Sequence, residues 1–175
     1  MPDKKLEVWT IGHSTRSIED FLSALQANQI KLIADVRALP GSRRYPQFNN
    51  ENLAASLSAH GIAYEHFPEL GGRREPNLTS TNTAWRNASF RGYADYMETE
   101  EFRKGMNRLV DLASEICPAA IMCAEAVWWR CHRALISDFL KVRGIEVTHI
   151  FEATKSEPHP FTSAARIVNG ELTYR

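Results

Sequence analysis

The sequence predicts a single α/β domain whose mostly parallel β-sheet is flanked by helices and followed by a C-terminal hairpin. Short apolar runs rich in β-branched residues alternate with segments whose apolar residues recur at helical spacing, the pattern of strand–helix–strand units. Asn169-Gly170 lies between two alternating stretches in ARIVNGELTYR, a strong short-range hairpin signal. A length of 175 residues, 43% hydrophobic and 24% charged, suits one domain over residues 1–175 with its own core. The same composition excludes disordered, collagen-like and disulfide-scaffold chains.

LEVWTIG, Leu6 to Gly12, reads as a strand running into a loop at His13. Ser17, with Asp20 three residues on, has the form of a capping box, and Ile18, Phe21, Leu22 and Leu25 continue it as a helix. KLIADV is then a buried strand with Asp35 near its end, completing a βαβ unit. Asn49 or Asn50 caps a second helix through Leu53, Leu57 and His60, closed by Gly61 before a third strand, Ile62 to Phe67. Pro68 to Ser89 has no periodicity, and loops of that length inside a domain are functional or disordered. Tyr93 to Met97 and Glu101 to Ile116 read as helices, the second stopped by Pro118. AAIMCA, Ala119 to Ala124, is a buried strand, Arg133 to Arg143 a helix ended by Gly144, and IEVTHIF the next strand, a second βαβ unit.

Parallel sheets bind ligands outside the carboxyl ends of their strands. The loops holding His13, Asp35 to Arg44, Glu69 to Arg74 and Cys123 to Arg133 are therefore expected on one rim. Twenty-one basic and twenty-one acidic residues cancel, which removes bulk charge as an argument for nucleic acid. Between Arg37 and Arg91, however, every basic residue is arginine, the better fork for phosphate and carboxylate. With no apolar run long enough to span a membrane and no export signal, a cytoplasmic protein that does not engage membranes is expected. Cys117, Cys123 and Cys131 then make a structural disulfide framework improbable.

CAEAVWWRCHR, Cys123 to Arg133, carries the densest chemistry. It ends at a helix N-terminus, where free N–H groups and the helix dipole favour an anion or a thiolate. Cys131, at that terminus, has the better electrostatic case for a lowered pKa. Cys123 with Arg130 spells Cys-x6-Arg, one residue longer than the tyrosine-phosphatase loop and without its glycine; its bland reading is a small buried hydrophobe. A metal site drawing on Cys123, Cys131, His132 and His13 is disfavoured by the spacing, so neither metal nor cofactor is expected. Asp35 and Glu125 are the acid/base candidates, with Glu125 equally suited to orienting Arg133. Arg37, Arg43, Arg73, Arg130 and Arg133 form the expected anion-facing rim. Trp128 and Trp129 suit stacking on a base or partner, or else one ring packs inward while the other acts as a lid.

IGHSTRSIEDF, ADVRALPGSRRYPQF, GIAYEHFPELGGRR, CAE followed by CHR, and HPFTSAARIVNGELTY, taken together, resemble domain of unknown function family 488 over nearly the whole chain. The resemblance implies a compact α/β domain of bacterial and archaeal cytoplasm and no particular reaction. Carried over by position, its signature polar residues include His13, Ser14, Asp35, Arg37, Cys123, Glu125, Cys131, His132 and Arg133, with AVWWR standing where relatives often have a short charged or proline-containing link.

The leading expectation is a protein that binds or processes a phosphate-bearing ligand, a nucleotide or nucleic acid. Its arginine rim would be joined by His13, Ser14 and Trp128, with Asp35 and Glu125 as the acid/base pair and His132 assisting. The alternatives are a rhodanese-like sulfurtransferase or phosphatase using Cys123 or Cys131, and a non-catalytic interaction module.

Overall fold

Strand β1 (Glu7–Gly12) runs through the interior of a six-stranded sheet, paired on both sides. The structure, a computed structural model, describes residues 5–175. After β1 come α1 (Ile18–Ala27), β2 (Leu32–Asp35), α2 (Asn50–Ser58), β3 (Ala63–His66), α3 (Ala88–Tyr96) and α4 (Glu100–Glu115). β4 (Ala119–Cys123), α5 (Arg133–Val142), β5 (Glu146–Glu152) and β6 (Lys155–Pro158) complete the sheet layer, and a separate hairpin pairs β7 (Arg166–Val168) with β8 (Glu171–Thr173). The order is β3-β2-β4-β1-β5-β6, parallel throughout except for β5–β6, so the α/β class and the hairpin are as the sequence predicts. At the hairpin tip Asn169 (φ 53°) and Gly170 (φ 78°) are both left-handed, as its two-residue turn requires.

Period-two alternation assigns each side chain of the inner strands to one of two cores. Ala119, Ile121 and Cys123 face the side covered by α3, α4 and α5, where Phe102, Met106, Leu135 and Leu140 pack. Ala120 and Met122 face Phe21, Leu25, Leu53 and Leu57 from α1 and α2. Burial on both faces is why these strands read as unbroken apolar runs.

The connections place the site. β1 leads through α1 to β2 on one side, whereas β4, inserted between them, leads through α5 to β5 beyond β1. Crossovers leaving adjacent strands in opposite directions open a crevice at the carboxyl ends of β1 and β4. Gly12 pairs with Cys123 there, and the ladder continues into the loops as His13 N and Ser14 N donate to the carbonyls of Cys123 and Ala124.

The departures from expectation are local. β6 carries Lys155, Ser156, Glu157 and Pro158, all exposed, so it shows no apolar alternation; edge strands are protected by such residues. Helix α3 begins at Ala88, ahead of the expected Tyr93, because Asn87 caps it through Phe90 N. The preceding loop is tied down by Asp95, which accepts from Asn77 N, Ser80 Oγ and Asn82 Nδ2. Ser17 caps α1 as expected, but the Asn49 side chain accepts from Ser42 N rather than from α2. Among the described residues no helix is long and apolar enough to cross a membrane.

Candidate active site

At the crevice lies a cleft of about 480 Å³ with Cys123, Cys131 and His132 on its floor and Arg37, Arg73, Glu125 and Arg130 on its walls. A larger groove of about 1140 Å³ runs beneath the C-terminal hairpin, but no cysteine or histidine lines it. The paired thiols and His132 therefore lie in the smaller cleft.

The two sulfurs of Cys123 and Cys131 lie 2.7 Å apart and are not bonded. Their environments push them in opposite directions. Burial opposes ionisation of Cys131, but the hydrogen bond with Cys123, the Arg133 charge and the Arg133 backbone N–H outweigh it and bring this thiol down to about 7. Burial, the hydrogen bond with Cys131 and the Cys131 charge push Cys123 well above its ordinary value. One thiol is thus set up as the anion and its neighbour as the proton-bearing donor. The Arg133 N–H reaches Cys131 Sγ at 3.4 Å from the first turn of α5, the helix-terminus contact that the sequence position implies.

His132 is held in one tautomer. Its Nε2–H donates to the Val36 carbonyl at 3.0 Å, which leaves Nδ1 unprotonated and facing Cys131 Sγ at 3.5 Å. Burial lowers its pKa, so the ring is a neutral acceptor for the thiol proton. Gly72 permits this approach, since a Cβ there would stand 2.8 Å from His132 Nδ1.

Arg133 is 1% exposed, and no Asp or Glu among the described residues is within ion-pair distance of it. Nη1 donates to Thr10 Oγ1 at 3.0 Å and Nη2 to the Glu125 carbonyl at 2.7 Å, while Nε has no oxygen or nitrogen partner. Burial disfavours the guanidinium charge, and the charges of Cys123 and Cys131 restore it and more. A buried cation without a counterion is expensive. Here the Cys131 sulfur is placed to be that counterion.

Behind Arg133 runs a buried chain that the sequence reading missed. Arg133 donates to Thr10 Oγ1, Thr10 contacts His149 Nδ1 at 2.5 Å, His149 Nε2 meets His159 Nδ1 at 2.8 Å, and His159 Nε2 meets Asp138 at 2.8 Å. Arg133 only donates and Asp138 only accepts, so every proton in the chain points toward Asp138. Burial, with His159 and Arg133 as neighbours, lowers His149 to about 2, so it is a neutral link. Thr10→Val is expected to cost about 1–3 kcal/mol in urea denaturation by orphaning Arg133 Nη1 and His149 Nδ1, with Thr10→Ser near neutral.

Arg37 is built differently. Nε and Nη2 form a two-pronged pair with Asp35, Nη2 also reaches the Phe48 carbonyl, and Nη1 reaches His13 Nε2 at 3.3 Å. Four of its five N–H donors are thereby engaged, leaving one Nη1–H on a side chain that lines the cleft. Asp35 also accepts from Arg37 N and the Tyr64 hydroxyl, so its oxygens are occupied beneath the cleft.

The structure gathers Cys123, Cys131, His132, Arg37, Arg73, Glu125 and Arg130 at the cleft. The others lie elsewhere. His13 stacks on Phe48 behind Arg37, and burial lowers its pKa. Ser14, in a left-handed turn, serves through its backbone. Arg43 is exposed outside the cleft, Arg133 lies beneath it, and Arg133 engages the Glu125 carbonyl rather than the carboxylate. Trp128 stacks on His149 with ring centroids 4.7 Å apart, while Trp129 is exposed, the arrangement of one ring inward and one outward. Among the described residues no group of three metal-ligating side chains is placed to hold an ion.

The profile described as Domain of unknown function DUF488 matches residues 17–140, which include β2 through most of α5 and the whole paired-thiol segment. The chain belongs to the DUF488 family. No curated protein and no solved structure matches it. The DUF488 match carries no activity with it, so the function of this DUF488 protein is argued from the site.

Proposed function

We propose that the protein is a cysteine-dependent group-transfer enzyme of the sulfurtransferase type, in which Cys131 is the nucleophile. Its anionic substrate, phosphate-bearing ones included, is held by Arg37, Arg73 and Arg130. The observation that carries the reading is Arg133, a buried cation with two sulfurs and no carboxylate for a counterion. Folding does not require such a group, whereas keeping a thiolate ready at neutral pH does. In this reading Cys131 attacks the electrophilic sulfur of the substrate, the bond to the leaving group breaks, and His132 Nδ1 takes the Cys131 proton when the thiol form is bound. The free Nη1–H of Arg37 and the exposed Arg73 and Arg130 orient the anion, and Glu125, solvent-exposed on the wall, serves proton exchange with the leaving group.

Two contacts favour sulfur over phosphorus. A second thiol beside the nucleophile resolves sulfur adducts and does nothing for a phosphocysteine. Within the Cys123-x6-Arg130 segment, Arg130 N is spent on the Val127 carbonyl rather than turned toward a phosphate. Acid/base work by Asp35 loses support because its oxygens are filled by Arg37 and Tyr64. Free thiols fit a reducing cytoplasm.

The test compares two alkylating reagents in a Cys117→Ser background. Iodoacetate, an anion, is expected to label Cys131 several-fold faster relative to iodoacetamide than it labels a free thiol, and Cys131→Ser to abolish the fast phase. Arg73→Ala with Arg130→Ala is expected to remove the iodoacetate preference and leave the iodoacetamide rate nearly unchanged. A slow, high-pH reaction at Cys131 would overturn the proposal.

A further inference from the structure

We propose that Cys123 is the resolving thiol of Cys131, so that the site turns over by closing a reversible Cys123–Cys131 disulfide on an anionic disulfide substrate. The inference rests on the reading of Cys131 as nucleophile and adds a second, distinct residue and a second step. It stands on geometry. Cys123 ends β4 on the face turned toward α5, and Cys131 precedes α5, so the two sulfurs already meet at 2.7 Å across the cleft floor. A disulfide needs about 2.05 Å, a movement of well under 1 Å for the sulfurs. The third cysteine, Cys117, is exposed and does not line the cleft, so it takes no part.

The chemistry balances in two exchanges. Cys131–S⁻ attacks one sulfur of R–S–S–R′; the Cys131–S–S–R bond forms and R′–S⁻ leaves. Capture removes the charge on Cys131, and Arg133, still buried and still without a carboxylate, now favours the anion on Cys123. Cys123 passes its proton to R′–S⁻, attacks the Cys131 sulfur and expels R–S⁻, which takes a proton from water. The protein loses two electrons and the Cys123 proton, water supplies the second proton, and the substrate becomes two thiols. A dithiol reductant returns the site to its starting state. A single buried cation thus serves both steps, because only one of the two sulfurs is anionic at a time.

The test uses 5,5′-dithiobis(2-nitrobenzoate), an anionic disulfide suited to the arginine rim, on the full chain carrying Cys117→Ser. Two equivalents of thionitrobenzoate are expected to be released, with the protein recovered lighter by two hydrogens and no adduct retained. With Cys123→Ser or Cys123→Ala added, one equivalent is expected, with a stable adduct at Cys131. If the Cys117→Ser protein itself stops at one equivalent and keeps the adduct, the resolving role is overturned while Cys131 remains the nucleophile. If Cys131 releases nothing in either protein, the underlying reading falls with it. The product mass of the Cys117→Ser protein decides the matter even where a Cys123 variant folds poorly.

Discussion

Replacing Arg133 with Met is expected to slow disulfide capture by Cys131 by up to about sixfold at pH 7 and to make the variant the faster protein above about pH 8. The Cys123 hydrogen bond, the Arg133 charge and the residue 133 N–H together bring the thiol from 9.0 down to about 7, so a full return to 9.0 sets the upper limit of the effect. At pH 7 the thiolate fraction therefore falls from about half to about one in a hundred, a loss of roughly fiftyfold. Nucleophilicity moves the other way, because a thiolate gains reactivity with its pKa at a Brønsted slope of about 0.4–0.5, or roughly eightfold over this interval. The quotient gives the sixfold loss, and the same two factors cross near pH 8. The sign also fixes the stability profile. A lowered thiol pKa stabilises the folded state above the unfolded thiol's value and loses that contribution as pH falls through about 7. Arg133→Met should flatten that pH window, while Arg133→Lys, which keeps the charge, should retain most of it. Stopped-flow rates with a neutral dipyridyl disulfide, taken from pH 5 to 10 in the Cys117→Ser background, supply the check. A midpoint that stays near 7 in the Met variant would remove Arg133 as the counterion of Cys131.

How much of this was legible in the sequence depends on the range of the interaction. β2 and β4 announce themselves as apolar runs because burial on both faces leaves little room for polar residues, and β1 and β5 through their β-branched and aromatic residues. Convergence of the loops followed from the rule for parallel sheets, and the setting of Cys131 followed from its place before α5. What failed to show was pairing across the fold. Asp35 reads as an acid at a strand end, and only the structure shows Tyr64 and Arg37 filling its oxygens. Glu125 sits near Arg133, yet it is the carbonyl that Arg133 engages. Thr10 and His149 stand 139 residues apart in sequence, and no local pattern joins them. One signal was available: His149 falls on the buried face of β5, two residues from Val147, and a histidine on such a face needs partners. β6 was missed for the opposite reason, since its exposed residues carry no periodicity at all.

Gly12→Ala is expected to cost more than about 4 kcal/mol, an exceptional value for a single methyl group, while Gly41→Ala at the cleft mouth is expected to be neutral or slightly stabilising. The two glycines differ in what surrounds them. A Cβ on Gly12 would lie 1.6 Å from the Glu125 carbonyl oxygen and 2.5 Å from its carbon, both backbone atoms, whereas a Cβ on Gly41 meets nothing within 4 Å. Relief at Gly12 requires the chain after β4 to move, and that chain is held on three sides. Gly12 pairs with Cys123, the next two residues donate their N–H groups to the Cys123 and Ala124 carbonyls, and Arg133 grips the Glu125 carbonyl at 2.7 Å. Any shift that admits the methyl group pulls that carbonyl off a buried guanidinium and carries Cys123 away from Cys131. Stability and thiol chemistry should therefore fail together. Urea denaturation measures the first, and the equivalents of thionitrobenzoate released before unfolding measure the second. A Gly12→Ala protein as stable as wild type, or one with the disulfide step intact, would show that the Glu125 carbonyl does not anchor Arg133. The close approach of β1 to the loop after β4 is what this glycine secures, and through Arg133 it secures the charge on which the paired thiols depend.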